Sequence, residues 1–383
     1  MLRIGLTGGG SGGHIFPLLA VAEELKKVAD AKQVALDMRY FGNAPLYKED
    51  ITTHGVVYIP VLSSKLRRYW AFQNFVDVFK FGLSIMQLLW KLFWFMPDVI
   101  FSKGGPGAFP VVLVGWWYRI PVILHESDSM PGLTNQLSAR FARQAFLGFA
   151  SAADYFKNIA VEVVGNPVRS SLFNRVAYLQ ERGSDIQKVA RVGFGLDENT
   201  PTLFIYAGSQ GAERLNAFIL ENIEILLQKF QIIHHVGENN ITQYTEEFRF
   251  ASAQWNEAKK KRYVYKGFFK EDIVDAYCAA DILVARAGAG SIFEIAAFGK
   301  PSILIPLPDS AHNHQIENAH LYSQTGAALV IQEQNLLSAL VLQELEKLSQ
   351  DSELRARMGV AAQTFYKPDA AKTIARYLLL YAR

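Results

Sequence analysis

The chain has 383 residues, half of them apolar and a fifth charged, with a formal net charge of +3, which is length and apolar content enough for two domains with separate cores. A charge this small and this evenly spread argues against nucleic acid as a partner. The one cysteine, Cys278, excludes an internal disulfide and a thiol metal cluster and fits a reducing cytosol, and the strand-like opening without a charged leader makes a secretory signal unexpected.

Strand-like and helical runs alternate along the chain. Residues 3–7 read as a strand followed by a helix over about 16–27; 98–101 as a strand with a helix after Gly107; 121–125 as a strand with a helix over 134–143. This alternation predicts parallel sheets covered by helices on both faces. Near Glu162 the pattern changes, and Val164-Gly165-Asn166-Pro167-Val168-Arg169 reads as a strand end entering a proline-bearing turn. The stretch from there to about residue 190 is polar and reads as irregular, as expected at a domain handover. A second series begins with Val192 and Leu203 and runs to about Met358. The expected domains are 1–165 and 166–369, with a terminal helix over 370–383 that folds back on the first.

Residues 65–96 depart from the alternation: a basic entry leads into a dense run of Phe, Trp, Leu and Met. Asp77, Lys80, Ser84, Gln87 and Lys91 recur at steps of three and four, a narrow polar stripe on an otherwise apolar helix. Lys91 and Pro97 interrupt the apolar run, so it is not expected to span a bilayer. Two readings stand: a helix buried against a sheet, or one lying on a membrane with Lys65, Arg67 and Arg68 near anionic headgroups and Trp70 in the interface.

Three glycine-bearing turns each follow a strand-like run and precede a helical one: residues 8–14, 208–212 and 286–294. A helix start points free N–H groups at one place and favours anions, so three such turns suggest a diphosphate held in a cleft between two doubly wound domains. In the first, Ser11 can cap the helix or donate to a ligand oxygen, and Gly12 and Gly13 allow close approach. His14 at the helix start is favoured in its neutral form and suits proton abstraction; the alternative is a histidine hydrogen-bonded within a turn. In the third, Ser291 and Glu294 have the spacing of a capping box. Against that reading, Gly288 and Gly290 leave room for a nucleotide, whose ribose hydroxyls Glu294 could accept from.

The motifs at residues 8–17 (GGGSGGHIFP), 125–128 (HESD), 132–135 (GLTN), 164–169 (VGNPVR), 208–212 (GSQGA), 286–301 (RAGAGSIFEIAAFGKP) and 314–319 (HQIENA) occur in the order and spacing of one family. The set resembles the peptidoglycan N-acetylglucosaminyltransferases of glycosyltransferase family 28, the MurG family, over nearly the whole chain. The resemblance implies an α/β fold of two Rossmann-like doubly wound parallel-sheet domains facing across a cleft, the GT-B arrangement. It implies inverting transfer of N-acetylglucosamine from UDP-N-acetylglucosamine to the muramoyl 4-hydroxyl of undecaprenyl-diphospho-muramoyl-pentapeptide (lipid I), giving lipid II. The partners would be those two substrates and an anionic membrane, and the location peripheral on the cytoplasmic face of a bacterial plasma membrane. No metal or organic cofactor is expected. By the same resemblance His14 is the general base; Glu126, next to His125 at the same strand end, is the next candidate should His14 not serve. Ser11, Gly12 and Gly13 would lie near the donor, Asp128 and Asn135 near sugar hydroxyls, Arg169 with Ser209 and Gln210 at the diphosphate, and Phe269 and Lys270 at the uracil edge. Ala289 and Gly290 would flank the nucleotide, Glu294 would hold the ribose, and Gln315 and Asn318 would face the sugar. Asp128 stands where asparagine is common in the family, and Pro106 where an aromatic follows the paired glycines. The alternatives are a related transferase with another lipid-linked acceptor and a UDP-sugar 2-epimerase-like enzyme.

Overall fold

The computed structural model describes residues 1–63, 72–181, 183–208, 211–308, 310 and 313–382, the side chains of 72–77 excepted. Two compact units are formed: Met1–Ser170 with Lys367–Arg383, and Ser171–Tyr366. The first contains β1 (Leu2–Thr7), α1 (Gly12–Ala31), β2 (Leu36–Gly42), α2 (Lys48–Thr53), β3 (Val57–Pro60), α3 (Phe72–Phe95), β4 (Val99–Ser102), α4 (Ala108–Trp117), β5 (Val122–Glu126), α5 (Leu133–Ser138), β6 (Gln144–Leu147) and β7 (Ala160–Val163). The second contains α6 (Ser171–Glu181), α7 (Ile186–Gly193), β8 (Thr202–Tyr206), α8 (Glu213–Lys229), β9 (Gln231–His235), α9 (Ile241–Ala251), α10 (Glu257–Lys260), β10 (Tyr263–Lys266), α11 (Ile273–Ala279), β11 (Ile282–Ala285), α12 (Ala289–Ala297), β12 (Ser302–Leu304), α13 (His314–Ser323), β13 (Ala328–Val330), α14 (Ser338–Gln350) and α15 (Ser352–Phe365). A last helix, α16 (Ala370–Leu378), belongs to the first unit and packs on α1.

Both sheets are parallel. Their strand orders are β3-β2-β1-β4-β5-β6-β7 and β10-β9-β8-β11-β12-β13, so in each the order reverses between the first strand of the unit and the fourth. In open α/β sheets ligands sit outside the carboxyl ends of the strands at such reversal points. The strands of the first sheet are apolar on both faces because helices cover both. Ile4, Leu6, Phe101, Ile123 and Phe146 face one core with α1 and α16, while Ile100, Val122, Leu124 and Leu147 face another with α3 and α4. The second unit centres on Leu203, Ile205, Ile232, Val284 and Ile303, packed against Leu215, Ile219 and Leu226 of α8.

Several local expectations are corrected. The first helix begins at Gly12, not near Phe16, because the Ser11 carbonyl already accepts from the His14 and Ile15 amides; Pro17 lies inside the helix. The helix expected over 134–143 ends at Ser138 and tightens into a 3₁₀ turn, Ala139–Phe141. The stretch read as irregular holds α6 and α7, and Val192 is helical rather than the start of a strand. Their polar composition hides them. Asp185 caps α7 by accepting from the Lys188 amide, and the nearly buried Arg191 ties it to Asp281 at 2.6 Å and to the carbonyls of Glu198 and Ala279.

Helix α3 turns part of its polar stripe inward. Ser84 is fully buried beside Leu88, Leu92 and Phe95, which pack on Phe41, Val61 and Ile100. Gln87 Oε1 accepts from the Leu62 amide at 3.2 Å, and Lys91 donates to the Pro60 carbonyl. The reason lies in the sheet: β3 is its edge strand, and backbone groups just beyond it need partners. The opposite face presents Val78, Phe79, Leu83, Met86, Trp90, Phe93 and Trp94 to solvent, with Trp90 65% and Trp94 68% exposed, and Trp117 of α4 is 70% exposed. By length and composition Val78–Phe95 could cross a membrane, the interruption at Lys91 notwithstanding; its inner face is nevertheless built into the core of the sheet. Lys65, Arg67, Arg68 and Trp70 lie outside the described residues.

Candidate active site

At the reversal point of the first sheet, the loops after β1 and β4 touch: the Gly9 amide donates to the Gly104 carbonyl at 2.8 Å. Ser11 precedes α1, yet its hydroxyl does not cap the helix; Oγ lies 2.8 Å from His14 Nδ1. The half-buried His14 ring fits between two glycines. A Cβ at Gly9 would stand 2.9 Å from Nδ1, and one at Gly105, whose φ is +85°, only 2.6 Å from Nε2. Neither position can carry a side chain while the ring stays in place. Pro106 closes over the same loop, its Cδ 3.1 Å from where a Gly9 Cβ would be. Gly13 is exposed and faces open space, whereas Gly12 is buried, with the Phe16 ring and Tyr47 hydroxyl 3.0 and 3.2 Å from its missing Cβ.

The carboxyl end of β5 carries a buried polar cluster. Glu126 accepts from the amides of Asp128 (3.0 Å) and Gly132 (3.2 Å) and from Asn135 Nδ2 (2.9 Å), so it closes the loop that follows it. Burial first, then the neighbouring Asp128 charge, pushes its carboxyl up to about 7 against the opposing Lys103, the Asp128 amide and Asn135. Asn135 also donates to the His125 carbonyl, and His125 Nε2 pairs with the Gly165 carbonyl at 3.0 Å. Burial, and secondarily Lys103, hold the His125 imidazole neutral. Lys103 beside it carries no signal in the sequence, because its partners come from a different loop. It is buried at 3% exposure, its ammonium bonds Ser127 Oγ, and burial lowers its pKa against Glu126 and Asp128.

Arg169 ends the connection from β7. Its guanidinium lies 4.2 Å over the Phe16 ring, and Nε is buried without a hydrogen-bond partner. A cation held on a ring with a buried, unpartnered N–H is suited to an anionic ligand.

The second sheet has its own reversal point, between β8 and β11. Ser209 and Gln210 lie outside the described residues, but Gly208 and Gly211 flank them with φ of +80° and +77°, and a Cβ at Gly211 would meet the Val236 carbonyl at 2.6 Å. Helix α12 begins after Gly288, so Ser291 sits within its first turn and the capping-box alternative is not met. Glu294 Oε2 instead accepts from Tyr277 Oη at 2.9 Å. A Cβ at Gly288 or Gly290 would meet nothing within 4 Å, whereas Ala289 is buried. Asn318, fully buried, donates to the Ala287 carbonyl at 3.3 Å, and Gln315 Oε1 accepts from the Leu307 amide at 3.1 Å. Phe269 is core, packed on Phe194, Phe204 and His235, and exposed Lys270 donates its amide to Asp272.

Two supports of this site were not read from the sequence. Tyr277 sits on a different helix from Glu294, and no spacing signal links them. Arg286 is buried, donates to the Ile305 carbonyl at 3.1 Å and pairs with buried Glu333, fastening the start of the glycine turn to the ends of β12 and β13.

Residues 4–147 match the glycosyltransferase family 28 N-terminal domain, and 202–374 the family 28 C-terminal domain. A Clostridium tetani relative, named UDP-N-acetylglucosamine–N-acetylmuramyl-(pentapeptide) pyrophosphoryl-undecaprenol N-acetylglucosamine transferase, is 35% identical over 92% of this chain and 91% of its own. A Bacillus cereus relative with the same name, numbered 2, is 32% identical over 99% of each. Among solved structures, Acinetobacter baumannii MurG superposes with a TM-score of 0.70 at 21% identity, covering 99% of this chain and 100% of that one. UDP-GlcNAc 2-epimerase from Neisseria meningitidis reaches 0.68 at 15%, with the same coverage. At such identities the structures speak to the fold alone. With both domain models matched in order and full-length relatives at this identity, the chain belongs to glycosyltransferase family 28.

Proposed function

We propose that this glycosyltransferase moves N-acetylglucosamine from UDP-N-acetylglucosamine to the muramoyl 4-hydroxyl of lipid I, with inversion at the anomeric carbon. The observation that carries the reading is the His14 ring, seated between Gly9 and Gly105 at the reversal point of the first sheet and engaged at Nδ1 by Ser11, in a chain whose full-length relatives are named for that reaction. With Nδ1–H donating to Ser11 Oγ, the lone pair falls on Nε2, the nitrogen beside Gly105. It takes the proton of the acceptor hydroxyl as that oxygen bonds to the anomeric carbon and the bond to the UDP oxygen breaks. Arg169 meets the charge that develops on the departing diphosphate. Glu294, oriented by Tyr277, accepts from the ribose hydroxyls, and the open space at Gly288 and Gly290 admits the nucleotide.

The outward face of α3, with Trp117, supports peripheral attachment to the membrane that carries the acceptor, on the cytoplasmic side. Contiguous exposed aromatic and aliphatic side chains on a helix whose other face is built into a sheet suit the interface of a bilayer. Lys65, Arg67 and Arg68 would add attraction to anionic headgroups.

Mass-spectrometric product analysis with UDP-N-acetylglucosamine and lipid I tests the reading. A lipid product heavier by one N-acetylhexosamine is expected. Turnover only with a different lipid-linked acceptor, or release of a 2-epimerised sugar without transfer, would replace it.

A further inference from the structure

Arg169 is placed where a cation is poorly received. The amino end of a helix carries partial positive charge, and the guanidinium lies over Phe16, in the opening turns of α1. Its Nε is buried without a hydrogen-bond partner. Something else must hold it, and two contacts do so from the same helix.

The next residue, Ser170, is fixed further along α1. Its Oγ donates to Glu23 Oε2 at 3.0 Å and accepts from Lys27 Nζ at 2.6 Å. The other Glu23 oxygen, Oε1, is engaged by His54 Nε2 at 3.0 Å, and His54 Nδ1 bonds the Asp50 carbonyl at 2.6 Å. Positions 16, 23 and 27 fall on one stripe of the helix, because steps of seven and four are close to two turns and one. The Glu23 and Phe16 levels are roughly 10 Å apart along α1 at 1.5 Å per residue; Arg169, next to Ser170, places its guanidinium on Phe16, and its charge also acts on His54, the partner of Glu23. Phe16 is itself seated by the missing Cβ of Gly12 and by an edge-on contact with Tyr47, ring centroids 5.6 Å apart. A larger residue at position 12 would displace the ring that carries the guanidinium.

We propose that Phe16 and Glu23 are positioning residues for Arg169, Phe16 by stacking its guanidinium and Glu23 by anchoring its backbone through Ser170. The role of Gly12 is then to admit the Phe16 ring rather than the ligand. This inference rests on the proposed function only in taking the anion met by Arg169 to be the donor diphosphate.

A double-mutant cycle on the full chain tests it, read both as turnover with UDP-N-acetylglucosamine and lipid I and as UDP affinity by calorimetry. Phe16→Leu keeps the apolar bulk and loses the ring face. It should lower kcat about 3- to 30-fold, the range of a cation–π contact, with the donor KM changed less, and it should weaken UDP binding. In an Arg169→Ala background the same substitution should have no further effect on either quantity. Phe16→Tyr, which keeps the ring, should restore wild-type behaviour. Glu23→Ala, away from the glycine loop, should show the same loss and the same non-additivity, and it serves if Phe16→Leu fails to fold. Full additivity with Arg169→Ala, or a Phe16→Tyr variant as impaired as Phe16→Leu, overturns the proposal. If wild type makes no product from lipid I, the acceptor reading fails and the calorimetric cycle still decides this one.

Discussion

Tyr277 Oη donates to Glu294 Oε2 across 2.9 Å, from α11 to α12, while its ring stacks on Phe298 at 4.8 Å. Burial first, and then the Glu294 charge, raises the phenol well above its ordinary pKa, so it remains a donor. Among the described residues, Tyr277 Oη has this carboxylate as its hydrogen-bond partner, so the phenol serves to aim Glu294. Glu294→Ala should weaken UDP binding by about 1–3 kcal/mol and Tyr277→Phe by about 0.5–1.5 kcal/mol, the ranges for charged and ordinary hydrogen bonds. Calorimetric titration with UDP reads both. Wild-type affinity in a folded Glu294→Ala protein would remove the ribose role, and capping could not replace it, since α12 starts at Ala289 with Gly288 as its N-cap.

His14→Ala should lower kcat by about 10²- to 10⁴-fold with donor KM nearly unchanged, because a general base acts in the transition state. Ser11→Ala should cost less, about tenfold, since it removes one hydrogen bond that orients the ring. Steady-state kinetics with varied donor gives both constants. Turnover within a few-fold of wild type for His14→Ala would move the base to another group.

The exposed face of α3 should bind membranes through burial rather than charge. Trp90→Ser and Trp94→Ser should each weaken vesicle binding by roughly 1–3 kcal/mol, on neutral and anionic lipid alike and with little dependence on salt. A Lys65, Arg67 and Arg68 triple alanine variant should lose about 1 kcal/mol per residue on anionic vesicles only, in a salt-sensitive way. Co-sedimentation with vesicles of the two compositions separates them. Equal partitioning of all variants would leave the face without a membrane role.

Glu126 predicts a pH dependence with a definite sign. Its carboxyl titrates at about 7 in the fold and at 4.5 when unperturbed, so over that window the folded protein binds more protons than the unfolded one. The linkage contribution to stability is then present below pH 4.5 and is lost as pH rises towards 7. Glu126→Gln should lower stability outright, because an amide cannot accept from all three of its donors. It should also flatten the slope between these pH values. Thermal unfolding of both proteins across the window measures the slope, and identical slopes would contradict the raised titration.

From residue order alone, the two parallel sheets and the three glycine turns were legible, because βα alternation and strand-turn-helix punctuation are local signals. Gly9 and Gly211 show how far local signals go: both fall in glycine turns of the sequence, but only the fold reveals that one yields to His14 and the other to the Val236 carbonyl. Polar α6 and α7 escaped notice because what makes Arg191 an anchor is Asp281, ninety residues away. Ser291 and Glu294 had capping-box spacing, yet the helix start is decided by where β11 delivers the chain. The stripe on α3 was visible as a period; that Gln87 and Lys91 turn towards the sheet was not, since it depends on unpaired backbone at the edge strand β3. Sequence determined which residues could form a helix or turn and which chemistry they carry. Tertiary structure decided their partners, because burial and hydrogen bonding between distant segments fix orientation in a way that spacing along one segment does not.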